Sequence, residues 1–330
     1  MYIVKHKIIS LSTSFIMLII FITIFFIKTD YSFFKNETSL TKIEKTDELQ
    51  LLKENDKQIK PWGVQSLGIK EKNNSNLEKK VKVAILDSGI NKNHEDLKGK
   101  VVKEYNAIRP NETVVDNYGH GTAVAGVLAA NDNNIGILGV APFVEIYSVK
   151  VLGDNGRGNI DSLVDGIKWC ISNDVQIINI SFGITMGNKE LRSVINEAIE
   201  SGIVVVASAG NTYGGNVEYP ARYEDVISVT AVDSNYKVAK FSPKGKIDFA
   251  APGVDVLTTT KDGSYSVHSG TSLAAAHVTG VISWIIANEE RYNLQVNDPK
   301  LIKKIRGILK KYSIDLGDPN YYGNGFIKLN

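Results

Sequence analysis

Apolar and polar positions alternate along this chain in blocks rather than residue by residue. Short runs rich in Val and Ile occupy residues 81–86, 144–151, 175–180, 203–207 and 226–232. Runs of that length, apolar on both faces, read as buried strands of a parallel sheet. Between them, residues 122–130, 159–173 and 190–201 carry apolar positions at helical spacing, and residues 273–287 are apolar all round, the mark of a buried helix. Strands alternating with helices predict an α/β fold of three layers, a mostly parallel central sheet with helices on both faces. In such sheets functional groups gather at the carboxyl ends of strands. Asp87, closing the first run, and the turn Ser208-Ala209-Gly210-Asn211 both fall there.

The pattern changes towards the N-terminus. Residues 8–27 form an uncharged stretch rich in Ile, Phe and Leu, preceded by Lys5 and Lys7. About twenty such residues span a bilayer. The exit, Ile27-Lys28-Thr29-Asp30-Tyr31, has no small-residue cleavage pattern, which favours an uncleaved signal anchor over a removed signal peptide. The expected orientation leaves the bulk of the chain outside the cell, single-pass; cleavage would make it secreted. Residues 28–56 are polar and read as a stalk or short pro-segment, the Leu49-Gln50-Leu51-Leu52 cluster being its one candidate for a short helix. Residues 57–330 have globular texture throughout, which gives segments of 1–27, 28–56 and 57–330.

Composition adds exclusions. A net charge of +2 with no basic block beyond short Lys pairs gives no reason to expect nucleic acid, no internal repeat or second domain is visible, and a monomer is expected. A single cysteine, Cys170, excludes an intramolecular disulfide and sits in an apolar helical stretch where core packing is its expected role. A disulfide-free extracellular domain draws rigidity from elsewhere, for example from a metal.

The candidate chemistry lies in Ser269-Gly270-Thr271-Ser272-Leu273-Ala274-Ala275-Ala276-His277. It delivers Ser272 to the start of the buried helix, where unpaired N–H groups and the helix dipole favour a developing negative charge. Taken alone, it reads as an ordinary Thr-Ser helix cap. His120, in Gly119-His120-Gly121-Thr122, opens another helix and is flanked by glycines that permit close approach.

Together these stretches resemble the subtilisin-like serine proteases, the subtilase family. The resemblance rests on Ile85-Leu86-Asp87-Ser88-Gly89-Ile90, Gly119-His120-Gly121-Thr122, Ala209-Gly210-Asn211 and Gly270-Thr271-Ser272-Leu273-Ala274 in that order, and covers about residues 57–330. It implies a serine endopeptidase acting on polypeptides. Ser272 would be the nucleophile, His120 the base, Asp87 the group that orients it and Asn211 the oxyanion donor. The resemblance also implies a P1 pocket walled by Ser181-Phe182-Gly183 and Ser208-Ala209-Gly210, with Glu218 shaping its base. Glu218 would favour Lys or Arg there unless it points to solvent. Ile160 and Leu163, with Phe182, would line an apolar S4 subsite, and substrate would add as a strand beside Gly156-Arg157-Gly158. A structural Ca²⁺ is implied as well, held by the side chains of Gln58, Asp96 and Asn133 and the carbonyls of Asn131, Ile135 and Ile137. The bland alternative for Asn131-Asp132-Asn133-Asn134 is an Asx-rich turn.

Two positions depart from the family. Leu273 stands where Met is usual, as it does in subtilases that trim lantibiotic leaders, and Ala276 stands where Pro is usual. The resemblance leaves three readings: a tethered processing peptidase, a broad degradative protease, and an inactive subtilase fold used for binding. The intact Asp87, His120, Asn211 and Ser272 argue against the last.

Overall fold

The computed structural model describes residues 45–54, 57–69 and 80–329. Every apolar run forms the strand expected of it: β1 (Lys82–Asp87), β3 (Glu145–Lys150), β4 (Ile177–Ile180), β5 (Val204–Ser208) and β6 (Ile227–Val232). They join β2 (Val101–Asn106), β7 (Phe249–Pro252), β10 (Ser313–Ile314) and β11 (Phe326–Ile327) in a sheet of order β10-β11-β7-β6-β5-β4-β1-β3-β2. All neighbours in it run parallel except β10 with β11. A separate antiparallel hairpin pairs β8 (Val256–Thr259) with β9 (Tyr265–His268).

Side chains alternate across the strands and build two cores. Val83 and Ile85 of β1 face one core with α3 (His120–Ala129) and α6 (Thr271–Ala287). Ala84 and Leu86 face the other with α4 (Ile160–Ser172) and α5 (Lys189–Glu200). This is the three-layer arrangement the pattern predicts. Cys170 is buried in the second core, and burial pushes its thiol pKa far up. The strand order reverses beside β1, which lies between β3 and β4. At such a switch point the helices depart to opposite faces and leave a crevice at the strands' carboxyl ends, and Asp87 is the last residue of β1.

Residues 45–54, within the expected stalk or short pro-segment, form helix α1 (Lys45–Glu54) around the Leu49-Gln50-Leu51-Leu52 cluster and belong to the same compact unit as the residues that follow. Leu49 and Leu52 lie against a small cluster of Ala130, Ile137 and Leu257. Glu48, 5% exposed, accepts from the backbone N–H of Trp62 at 2.6 Å, the first residue of the short helix α2 (Trp62–Ser66). A carboxylate there offsets an otherwise uncapped N-terminus. Among the described residues no helix is long and apolar enough to cross a membrane. The apolar stretch 8–27 lies outside them.

Candidate active site

The cleft is assembled from strand ends and helix starts. Asp87 ends β1, the turn Ser181-Phe182-Gly183 follows β4, and Asn211 follows β5. His120 begins α3 and Ser272 is the second residue of α6. A cavity of about 510 Å³ is lined by His120, Asn211, Ser272, Lys261 and His268. A second cavity of about 330 Å³ shares His120, Asn211 and Ser272 and extends to Gly183, Gly210 and Glu218.

Asp87 is fully buried and His120 Nδ1 lies 2.8 and 2.9 Å from its two oxygens. A carboxylate only accepts, so Nδ1 carries the proton and Nε2 offers its lone pair when the ring is neutral. Burial opposes charging of the His120 ring, but the charge and hydrogen bond of Asp87 and the charge of Asp116 outweigh it and hold its pKa above the usual value. The closeness of the pair depends on Gly121. A Cβ there would stand 2.1 Å from the Gly89 carbonyl oxygen and 3.1 Å from Asp87 Cβ.

The Ser272 hydroxyl donates to the Ser181 carbonyl at 2.5 Å instead of to His120. A serine side chain turns between rotamers at little cost, and catalytic hydrogen bonds often tighten only once substrate is bound. Asn211 Oδ1 accepts from the backbone N–H and the hydroxyl of Thr271, at 3.2 and 3.1 Å. That fixes the amide of a residue that lines both cavities. Thr271 is thus a supporting residue that sequence reasoning missed, although its place next to Ser272 was the available signal. Leu273 and Ala276 do not disturb the helix start, since α6 runs unbroken through both.

The expected P1 pocket is brought together in part. Ser181, Phe182, Gly183, Ser208 and Gly210 line the smaller cavity with Glu218. Ala209 is instead wholly buried, and its carbonyl receives the Glu218 backbone N–H at 3.0 Å. The Glu218 carboxyl lies between the two walls, so that Cβ atoms at Gly183 and Gly210 would stand 2.4 and 2.5 Å from its Oε2. Burial raises its pKa. The S4 expectation needs correction. Leu163 is 1% exposed and packed in the second core, because it sits one turn into α4 on the sheet-facing side, and Ile160 at the helix start is only half-buried. Leu152 and Tyr118, neither of them singled out by sequence reasoning, line the cavity.

The residues expected to hold calcium also meet. Gln58 Nε2 donates towards the carbonyls of Asn131 at 2.6 Å, Ile135 at 3.0 Å and Ile137 at 3.2 Å, and towards Asn133 Oδ1 at 3.2 Å. An amide nitrogen has two hydrogens for those four acceptors. Turned over, the Gln58 carbonyl oxygen would join the other oxygens around one point, a donor set that fits a hard cation. Asp96 stands beside the cradle, accepting from the Ile137 N–H at 2.8 Å and from Asn133 Nδ2 at 3.2 Å. Among the described residues no three His, Cys, Asp or Glu cluster, in keeping with a cradle made mostly of carbonyls.

Residues 78–325 match the model of the subtilase family. The chain is 39% identical over 295 residues to the thermostable alkaline protease of Halalkalibacterium halodurans, covering 89% of this chain and 77% of that protein. It is 39% identical over 276 residues to subtilisin DY of Bacillus licheniformis, covering 82% and 94%. With subtilisin E of Bacillus subtilis it shares 40% over 257 residues, 76% of this chain and 64% of that one. A cleft at the switch point of a parallel sheet, holding an Asp–His pair and a helix-start serine, therefore goes with a sequence that belongs to the subtilase family of serine endopeptidases.

Proposed function

We propose that this endopeptidase cleaves polypeptides through an acyl-enzyme on Ser272. Ser272 Oγ turns from the Ser181 carbonyl to His120, gives up its proton and attacks the scissile carbonyl. His120, held by Asp87 as the Nδ1–H tautomer, then passes that proton to the leaving amine. The oxyanion is received by Asn211 Nδ2 and the Ser272 backbone N–H at the start of α6. The observation that carries this reading is the 2.8 Å contact of His120 with the buried Asp87 in a cleft shared with Ser272. A fluorophosphonate probe is expected to label the wild type on Ser272, and Ser272→Ala to lose both label and hydrolysis. An unlabelled wild type overturns the reading in favour of a binding protein.

The same reading assigns Glu218 to the base of the P1 pocket, where its carboxylate selects Lys or Arg. A carboxyl lying between two glycines in the cleft wall, with its pKa raised by burial, supports a cationic side chain as its partner. That selectivity favours a processing role over broad degradation. The oxygens around Gln58 support a structural Ca²⁺ held by Gln58, Asn131, Asn133, Ile135 and Ile137 with Asp96 beside them. The ion would neutralise convergent oxygens and takes no part in proton transfer. The apolar residues 8–27 behind Lys5 and Lys7 support an anchor that keeps the domain outside the membrane. Release of the protein from membranes by alkaline carbonate would refute the anchor.

A further inference from the structure

Asp116, four residues before His120, is 6% exposed and accepts four hydrogen bonds. Its Oδ1 takes the Gly119 N–H at 2.7 Å and the Ser88 hydroxyl at 2.8 Å. Its Oδ2 takes the Thr122 N–H at 2.9 Å and the Thr122 hydroxyl at 2.6 Å. The backbone on both sides of His120 is therefore tied to one carboxylate. Ser88 closes the circuit. Its backbone N–H donates to Asp87 Oδ1 at 2.8 Å, and its Oγ accepts from the Gly121 N–H at 3.0 Å. Lys150, opposite Asp87 in the β1–β3 register, donates to the carbonyls of Ser88 at 2.7 Å and Val115 at 2.9 Å. One network thus joins the strand end that carries Asp87 to the turn that carries His120.

Capping alone is too small a role for this arrangement. Gly119 offers α3 no side-chain cap, and a single serine or asparagine would supply one. Here a second carboxylate is buried one serine away from Asp87, against the repulsion and desolvation that two such anions entail. A group kept at that cost acts where charge develops, on the His120 ring as it takes the Ser272 proton.

We propose that Asp116 is a positioning residue for proton transfer: it sets the His120 turn against Asp87 through Ser88 and places a second negative charge behind the imidazolium. The inference rests on the roles proposed above for Asp87, His120 and Ser272. Among the described residues the titratable groups around His120 are Asp87 from β1, Asp116 and Tyr118 from the preceding loop, His268 from β9, Lys261 and Asp262 at the mouth of the cleft and Glu218 across it, while Lys150 braces the network from β3.

The test is Asp116→Asn, which keeps the shape, removes the charge and puts an amide NH2 where one of the two accepting oxygens stood. Expected is a fall in kcat of about ten- to a hundredfold, the scale of a small misplacement of reacting groups, with KM within about twofold. Asp116 favours the charged ring, so its loss moves the acid limb of kcat/KM to lower pH. The same direction is expected for the His120 titration read by NMR in the Ser272→Ala background, which needs no activity. Ser88→Ala is the second variant. It breaks the Ser88 hydroxyl's bonds with Asp116 and with the Gly121 N–H but keeps both carboxylates, so kcat falls severalfold while the acid limb stays. Unchanged kcat and acid limb in D116N, or a change confined to KM, overturns the inference. Should D116N fail to fold by circular dichroism, an undiminished kcat in S88A overturns it instead. A wild type that no fluorophosphonate labels sinks the catalytic reading, whereas the NMR titration still judges Asp116.

Discussion

Glu218→Gln is the substitution that most directly tests how the cleft chooses its substrate. It keeps the side chain's shape between Gly183 and Gly210 and removes only its charge. A hydrogen bond to a charged group contributes about 1.5–3 kcal/mol, or roughly ten- to a hundredfold in kcat/KM. The site is half-open to solvent, which places the expected loss near the lower end, about tenfold for a peptide with Arg at P1. A matched peptide with Phe at P1 should change by less than about threefold, since its contacts are apolar and none of them is removed. The assay is hydrolysis of the two fluorogenic peptides by both proteins across pH. Taking the ratio of the two rates cancels the titration of His120, which both reactions share. Because burial raises the Glu218 pKa, the wild-type Arg/Phe ratio should fall on acidification, through a window above the ordinary glutamate range. In E218Q the ratio should be low and flat. A wild type that prefers Phe, or equal ratios in the two proteins, refutes the assignment.

Three further outcomes are expected. Asn211→Ala should lower kcat by about a hundred- to a thousandfold with little change in KM, a magnitude that comes from a subtilisin itself, and a loss under tenfold would remove Asn211 from the oxyanion site. Adding Ca²⁺ at about a hundred times its dissociation constant should stabilise the fold by about 2.7 kcal/mol and raise Tm by several degrees, and a chelator should reverse this; a melt indifferent to both rejects the cation. His277 is wholly buried, its Nδ1 bonded to the Leu273 carbonyl, and burial lowers its pKa to about 4. The unfolded chain therefore binds an extra proton between about pH 6.5 and that value, so stability present above pH 6.5 is lost as pH falls through the window. Urea midpoints should fall there in the wild type and less steeply in His277→Leu; parallel slopes would refute the buried neutral ring.

The parts of the molecule legible in the sequence are those where burial dictates residue type. Strands β1, β3, β4, β5 and β6 are apolar on both faces and are found within about two residues of the expected bounds. β2 escaped notice because its sequence VVKEYN is half exposed at the sheet edge, and β8 and β9 because four residues apiece are too few for a period. Asp87, His120, Asn211 and Ser272 were legible from motif order alone. Their mutual setting was not. The bonds of Ser272 to Ser181 and of Asn211 to Thr271 are rotamer choices made by tertiary contacts. Leu163, expected at the cleft from the family resemblance, is buried in the second core instead, because a matched position carries over a place in the helix but not the depth to which the side chain sinks. Asp116 shows the same limit: its four donors come from the residue before α3, the first turn of α3 and a strand end, and no pattern of residue types encodes their convergence.

The cradle around Gln58 brings together segments that lie far apart in the sequence of a chain with one cysteine. Gln58 reaches it from the N-terminal side, Asn131 to Ile137 follow the end of α3, and Asp96 accepts from the Tyr265 hydroxyl on β9 at 2.9 Å. The same loop closes α3 itself, since the N–H groups of Gly139, Val140 and Ala141 bond the carbonyls of Ala130, Val127 and Leu128. His120 opens α3 at its other end, and β9 leads directly into Ser269 to Ser272. A cation in the cradle would hold three segments separated by long loops, and would stabilise the fold because its ligands converge only in the folded chain. It touches neither His120 nor Ser272. Its loss should then lower the temperature at which activity fails well before it lowers kcat in the cold, and a metal that set kcat directly would not behave so.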